Sequence, residues 1–300
     1  MMMLVGGIEA GGTKIVYGTA EVDGKEIHIL ERKEMPTDES SAVIDKLNLY
    51  FKEKEITSLG LASFGPLELN KNSFDYGMVM GTPKKGWDQV PFGAALKEYL
   101  HIPVEIDTDV NAAAMAEVAY GAGKGSESLV YITVGTGIGM GLWINGAPVH
   151  GLLHPEAGHM GIVRHERDHF AGSCPFHVNK YGQSLCLEGV AAGPAIEKRW
   201  GRPGKELSKN AAVWEMEADY LAQGIVNLIL VTSPEKMILG GGVMHQKELF
   251  PLIRQKVQDK LGGYIHRKEI LTDIDSYIVP PALGDNAGIM GAFLLAQKRI

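Results

Sequence analysis

The sequence predicts an α/β protein made of two related halves, folded as two lobes with a central cleft. Strand-like alternation and helical periodicity are interleaved along the whole chain, so neither an all-helical nor an all-strand fold suits it. A glycine-tipped hairpin opens the chain, and a second one appears about 125 residues later. Three hundred residues suit two cores of roughly 100–200 residues each.

Residues 4–10 and 14–22 alternate and are rich in β-branched side chains, joined through Gly11-Gly12 as a hairpin. Residues 27–34 suit a third strand. The stretch 40–54 has apolar residues at helical spacing, with Ser40 or Ser41 placed to cap its N-terminus. Residues 58–69 return to strand and meet a turn at Gly65-Pro66, and 70–90 read as loop from their Gly, Pro and Lys content. A helix over 91–100 begins at a proline. The strand 103–109 ends in carboxylates, and an alanine-rich helix follows over 110–123. The second hairpin spans 128–146, with a further turn at Asn145-Gly146. Residues 147–186 lack a regular pattern and are rich in histidine. Beyond them come a helix from 186 to 200, one long helix or two over 208–234, and a short strand running into Gly240-Gly241-Gly242. A helix over 247–261, a strand-like 277–283 and a Gly/Ala-rich helix from 284 close the chain. The expected division is a small N-terminal lobe, 1–110, completed by the helix 285–300, and a large lobe, 111–284.

The net charge of −7, with no basic stripe, argues against nucleic acid or an anionic membrane as partner. A small anionic substrate can still bind through backbone N–H groups and an ion such as Mg²⁺. No stretch approaches the roughly 18–20 apolar residues of a membrane span. Residues 1–5 read as the start of the first strand rather than a signal peptide. Two cysteines make no disulfide framework. A cytoplasmic protein is expected.

Gly11, Gly12 and Thr13 offer close-approaching backbone N–H groups and a hydroxyl suited to phosphate oxygens. Gly135, Thr136, Gly137 and Gly139 offer the same from the other half. Lys14 either adds charge there or is a solvated strand residue. Glu9 either holds Mg²⁺ through water or is an ordinary polar strand residue. Gly240, Gly241 and Gly242 permit backbone to approach a flat ligand such as adenine, or simply make a tight turn. Asp109, at a strand end beside a helix start, stands where a general base belongs, or else merely caps the helix. Asp107 is expected on the other face of the strand.

Six of the ten histidines and both cysteines lie within residues 150–186. Cys174 and His177 fit one turn, and Cys186 with an upstream histidine completes an S₂N₂ set that zinc prefers. His159, beside Glu156, is one such histidine. Four protein ligands make a closed, structural site. Glu156, His159 and Glu188 can hydrogen-bond vicinal sugar hydroxyls, a device that selects against substrates lacking them.

These motifs together resemble the ROK sugar kinases: "GGIEAGGTK", "DTDVNAAAMAE", "ITVGTGIGMG", "HPEAGHM", "CPFH…CLEG", "AAGPAI", "ILGGGVM" and "LGDNAGIMGA", from residue 6 to residue 292. Within that family the sequence is most similar to the bacterial fructokinase branch. The resemblance implies the duplicated actin-like (ribonuclease H-like) ATPase fold, ATP bound in the cleft, and a homodimer. Residue by residue, it implies a first phosphate loop of Gly11, Gly12, Thr13 and Lys14. The second would run from Thr133 through Gly135, Thr136 and Gly137 to Gly139. Asp109 matches the catalytic aspartate, which also meets the sugar. Glu156, His159 and Glu188 match the sugar contacts. His159, Cys174, His177 and Cys186 match the zinc ligands. Pro194 and Gly240, Gly241, Gly242, Val243 and Met244 match the adenosine side. Thr108 stands where many family glucokinases carry an Asn that meets a pyranose hydroxyl. Many family members carry Asp where Glu9 stands, and the Glu here resembles the fructokinase branch. The metal motif is Cys-x-x-His rather than Cys-x-Cys, and the gap from His177 to Cys186 is longer than expected.

The implied reaction is transfer of the ATP γ-phosphoryl group to the 6-hydroxyl of D-fructose, with Mg²⁺ on the polyphosphate and zinc as a structural ion. A mannokinase or broad hexokinase of the same family is the alternative. A sugar-sensing regulator would carry a helix-turn-helix ahead of the kinase-like part, and the first strand here begins by residue 4. A zinc hydrolase would need an open coordination position and would leave both glycine hairpins unexplained.

Overall fold

The computed structural model describes residues 3–24 and 26–297. The first two and last three residues, which fall in the expected opening strand and closing helix, lie outside the described residues. The chain divides into two compact units. One runs to Tyr120 and takes in Pro148–Pro155 and the chain from Asp285 on; the other comprises Gly121–Ala147 and Glu156–Gly284.

The first unit holds β1 (Met3–Ala10), β2 (Lys14–Asp23), β3 (Glu26–Pro36), β4 (Ser58–Ser63) and β5 (Val104–Thr108), in sheet order β3-β2-β1-β4-β5. The first three form an antiparallel meander, while β1, β4 and β5 run parallel. Every residue of β4 and of the edge strand β5 is buried, as parallel strands covered on both faces require. Helices α1 (Ser40–Lys52), α2 (Phe92–Leu100), α3 (Asp109–Tyr120) and α10 (Ala287–Gln297) flank the sheet. Val43, Leu47 and Phe51 put one stripe of α1 into the core. The N-cap of α1 is Glu39, with no side-chain cap bond, so the expected serine cap is not made; Ser40 is already the first helical residue. The stretch 70–90 has no helix or strand, as expected. It is nonetheless anchored. Trp87 is fully buried between Phe64 and Phe92 and donates its indole N–H to the Asp38 carbonyl at 2.8 Å.

The second unit holds β6 (Leu129–Val134), β7 (Ile138–Ile144), β8 (Ala147–Pro148, its last residue counted with the first unit), β9 (Lys236–Gly240) and β10 (Ile278–Val279). Their order is β10-β9-β6-β7-β8. A hairpin is thus flanked by parallel strands in each unit, in the same spatial order, which is the duplication that the two hairpins announce. Asn145 and Gly146 both have positive φ, 52° and 77°, the two-residue turn expected there. The helices are α4 (Leu187–Ala191), α5 (Gly193–Trp200), α6 (Ala211–Thr232), α7 (Leu249–Leu261), α8 (Lys268–Leu271) and α9 (Ile274–Tyr277). The helix expected from 186 to 200 is therefore two. Ala192 is extended (ψ 158°) and Pro194 opens α5, because a proline removes the N–H that a continuous helix needs. The segment 208–234 holds one long helix, α6.

The division differs from the expected boundary at 110/111. Helix α3 stays with the first unit because α10 packs on it as well as on β1 and β4. That packing is close. A Cβ on Gly60 of β4 would stand 1.8 Å from the Ala292 carbonyl oxygen of α10. A Gly60→Ala substitution is expected to push α10 off the sheet and cost about 1–3 kcal/mol, read as a lower denaturation midpoint. An unchanged midpoint would contradict this packing.

Candidate active site and metal centre

In the first unit β1, β4 and β5 end at one edge of the sheet, and the chain leaves them at residues 11, 64 and 109. Open α/β sheets bind ligands at such an edge. The loop after β1 is closed by the Gly11 N–H donating to the Lys14 carbonyl at 2.9 Å. Thr37, just past β3, braces it: its hydroxyl donates to the Gly11 carbonyl at 2.7 Å and its N–H to the Thr13 carbonyl at 3.0 Å. Nothing in the sequence marks Thr37, because its partners lie far away in the chain. Thr13 is exposed at the loop tip. Lys14 is half-exposed and lies 3.0 Å from Glu34, which Arg32 also meets at 2.8 Å.

Asp109 is the first residue of α3. It does not serve as the helix cap through its own side chain reaching forward a turn. The Thr108 hydroxyl takes that part, accepting the Asn111 N–H at 3.1 Å. The Asp109 carboxylate accepts the adjacent Val110 N–H at 2.9 Å. Burial pushes its pKa up to about 6, where a base is efficient near neutral pH. Residues two apart in a strand share a face, so the expectation of opposite faces for Asp107 and Asp109 is corrected; with the helix starting at 109 the two are in any case no longer on one strand. Asp107 is buried, and its Oδ1 receives the Thr108 N–H at 2.8 Å, the Asn111 amide at 2.8 Å and His150 Nε2 at 3.1 Å. Thr108 is almost wholly buried.

Glu9 sits one residue before the end of β1, with its carboxylate against the start of α10. Its Oε2 is buried and without a hydrogen-bond partner. Burial, and then the charge of Asp109, push its pKa up to about 7. A buried carboxylate oxygen that lacks a donor suits a hydrated cation.

In the second unit the loop after β6 is closed by the Gly135 N–H donating to the Gly137 carbonyl at 2.9 Å. Gly193, at the start of α5, donates its N–H to the Gly135 carbonyl at 2.8 Å, which places Pro194 beside this loop. Thr136 is exposed at the tip. Thr133 lies on β6, opposite Gly139 on one side and Gly240 on the other. Gly241 has φ 90°, and a Cβ there would fall 2.5 Å from the Val134 carbonyl oxygen. That glycine is required by contact with the protein's own strand. Gly242, Val243 and Met244 form a 3₁₀ turn after it, with Met244 buried.

Glu188, on α4, accepts the Ile138 N–H through Oε2 at 2.9 Å and so braces the same loop. Its Oε1 is 3.7 Å from His159 Nε2. Glu156 is exposed and precedes the short turn that carries His159, whose N–H donates to the Glu156 carbonyl at 2.9 Å.

His159, Cys174, His177 and Cys186 converge, their ligand atoms all within 4.8 Å of one another. Cys174 Sγ is 3.9 Å from His159 Nδ1 and 3.4 Å from His177 Nδ1, and Cys186 Sγ is 3.7 Å from His159 Nδ1. A zinc tetrahedron with its usual bond lengths has edges of about 3.4–3.8 Å, so the set fits that ion. The long gap before Cys186 is taken up by a small hairpin. Val178 pairs with Ser184, and the Leu185 N–H donates to the His177 carbonyl at 2.8 Å. Asp168 anchors the preceding loop, receiving Arg199 at 3.1 and 3.0 Å and the Tyr220 hydroxyl at 2.6 Å.

Of the six clustered histidines four lie outside the metal set, among them His150 and His154. Both lie in the segment Pro148–Pro155 that belongs to the first unit.

A sequence model described as the ROK family matches residues 5–299. A putative fructokinase of Bacillus subtilis is 46% identical over 99% of this chain and 96% of its own. A fructokinase of Pediococcus pentosaceus is 41% identical over 99% of each chain. Among solved structures, a ROK hexokinase from Thermus thermophilus superposes with a TM-score of 0.76 at 28% identity, covering 99% of each chain. A ROK glucokinase from Streptomyces griseus, solved with glucose and AMPPNP, has the same TM-score of 0.76 at 24% identity, over 98% of this chain and 99% of its own. At that identity it speaks for the fold alone.

Proposed function

The chain belongs to the ROK family, and we propose that it transfers the γ-phosphoryl group of ATP to the 6-hydroxyl of D-fructose. It is a fructokinase on the strength of relatives so named, 38–46% identical over nearly the full chain. The observation that carries the chemistry is the Asp109 carboxylate. Thr108 relieves it of capping, burial lifts its pKa to about 6, and it stands at the ligand-binding edge of the sheet.

Phosphoryl transfer asks the protein mainly to position groups and neutralise charge. Asp109 accepts the proton of the attacking sugar hydroxyl. Backbone N–H groups of the Gly11-Gly12-Thr13 loop in the first unit, and of Gly135-Thr136-Gly137 in the second, serve the polyphosphate. Pro194 and the turn Gly240 to Met244 serve the adenosine. Glu9 is the residue suited to hold Mg²⁺ through water; when bound, that ion offsets polyphosphate charge. Glu188 carries two duties, bracing the second loop and meeting the sugar with Glu156 and His159. Zinc on His159, Cys174, His177 and Cys186 is structural, since four protein ligands close the coordination shell. A homodimer follows from the family resemblance and remains part of this proposal. Among the described residues no helix is long and apolar enough to cross a membrane.

A broader hexokinase or mannokinase is the second reading, supported by likeness to the Thermus thermophilus hexokinase. Against a glucose preference stands Thr108, whose hydroxyl is occupied as an acceptor by the Asn111 N–H. The deciding experiment ranks kcat/KM for fructose, mannose and glucose with ATP and Mg²⁺. Fructose is expected first; mannose or glucose in first place would favour the second reading.

An Asp109→Asn variant is expected to lose about 10²–10⁴-fold in kcat while fructose binding measured by calorimetry persists. In the parent, the base works only when ionised. So kcat/KM should fall about tenfold per pH unit below about 6. Near-normal turnover in the variant, or a profile flat down to about pH 5, would take Asp109 out of this role. A Cys174→Ser protein should lose zinc on dialysis and melt earlier. Full zinc content by atomic absorption would reject Cys174 as a ligand.

A further inference from the structure

The segment Pro148–Pro155 is a short strap that joins the first unit although the chain on either side of it belongs to the second. Two histidines fasten it, at two different strand ends. His150 Nε2 lies 3.1 Å from Asp107 Oδ1, at the end of β5. The Asn111 amide also donates to that oxygen at 2.8 Å, and its 3.3 Å approach to His150 Nε2 sets two donors side by side on one acceptor. Asp107, Thr108 and Asn111 are nearly fully buried. The oxygen that His150 holds is therefore the one that fixes the turn from β5 into α3, where Asp109 begins the helix.

His154 is buried and fastens the neighbouring strand's exit. Its Nε2 accepts the Leu67 N–H at 3.0 Å, and the other ring nitrogen donates to the Pro155 carbonyl. One tautomer of a neutral ring satisfies both bonds. A neutral ring is what its burial favours. A Cβ on Gly65 would come 3.1 Å from that Nε2, so residue 65 leaves the ring room to sit under the loop. Ser63 of β4 pairs with Thr108 of β5. The chain therefore leaves these two paired strands side by side, at Phe64 and at Asp109, the strands themselves being about 4.8 Å apart. The loop at 65–67 begins one residue after the β4 exit, at the same sheet edge from which Asp109 emerges.

We propose that His150 and His154 form a two-point clasp that sets hexose selectivity. The clasp holds the loop at 65–67 and the β5–α3 junction in one arrangement around the phosphoryl acceptor. This rests on the kinase reading above. The histidines act through Leu67 and Asp107 and are positioning residues. Selectivity is sensitive to such positioning. A site that pairs its polar groups with one arrangement of sugar hydroxyls leaves them unpaired with another, and small displacements change which sugar pairs best. The polyphosphate loop after β1 is braced separately by Thr37, so ATP binding need not follow changes at the clasp.

The test uses the whole chain with ATP and Mg²⁺, and reads KM and kcat for fructose, mannose and glucose, KM for ATP, and the melting temperature. His150→Ala and His154→Ala are expected to change the fructose-to-mannose ratio of kcat/KM about tenfold, chiefly through sugar KM, with ATP KM within about twofold of the parent. His150→Gln, which can still donate to Asp107, and His154→Gln, which can still accept from Leu67, should recover most of the parental ratio. Should the alanine variants not fold, His150→Asn and His154→Asn keep the amide chemistry on a shorter reach and must themselves shift the ratio. A parental ratio in folded alanine or asparagine variants overturns the clasp. So does an equal loss for every hexose with no recovery by glutamine. A parent enzyme that phosphorylates none of the three hexoses would instead overturn the kinase reading, before any variant is made.

Discussion

A helix that starts directly from a buried strand must find acceptors for its first N–H groups without water. At residue 108 this chain meets that demand with two neighbours of Asp109. Thr108 accepts from Asn111, and Asp107 gathers the Thr108 N–H, the Asn111 amide and His150 on one oxygen. Both are buried polar groups whose loss would leave donors unpaired. Because they take the structural work, the Asp109 carboxylate is released from capping the helix. The strap reaches that junction through His150, and α10 packs on the helix that starts from it.

Much of the architecture was legible because it rests on local chemistry. Glycine-tipped hairpins and a two-residue turn at Asn145-Gly146 are written in adjacent residues, and the two sheets repeat one strand order around them. Legibility failed where distant packing decides. No local signal distinguishes Glu39 from Ser40 as the cap of α1, and nothing in 70–90 shows that Trp87 will be fully buried. The break between α4 and α5 was readable in principle from Gly193-Pro194, but an apolar run on both sides suggested one helix.

The candidate site divides in the same way. The metal set could be read from the density of Cys and His, and the small hairpin that returns Cys186 to His177 accounts for the long spacing. Density also misled. His150 and His154 counted toward the same cluster, yet they belong to the first unit and bond there to Asp107 and Leu67. Thr37 and the bracing part of Glu188 gave no sequence signal, because each acts on backbone far removed along the chain. The glycines at 240 and 241 suit close approach as expected, but what approaches is β6.

The two hairpin loops have matching places in matching sheets, yet their supports have nothing in common. A threonine after the third strand steadies one, while a helix N-terminus and a glutamate facing a histidine steady the other. An ancestral repeat that kept its strand order has thus lost its internal symmetry at the level of bracing. Mutations that drift through one support leave its counterpart untouched. Each copy has been able to specialise alone, the second acquiring a link to a Cys/His cluster for which the first has no equivalent among the described residues.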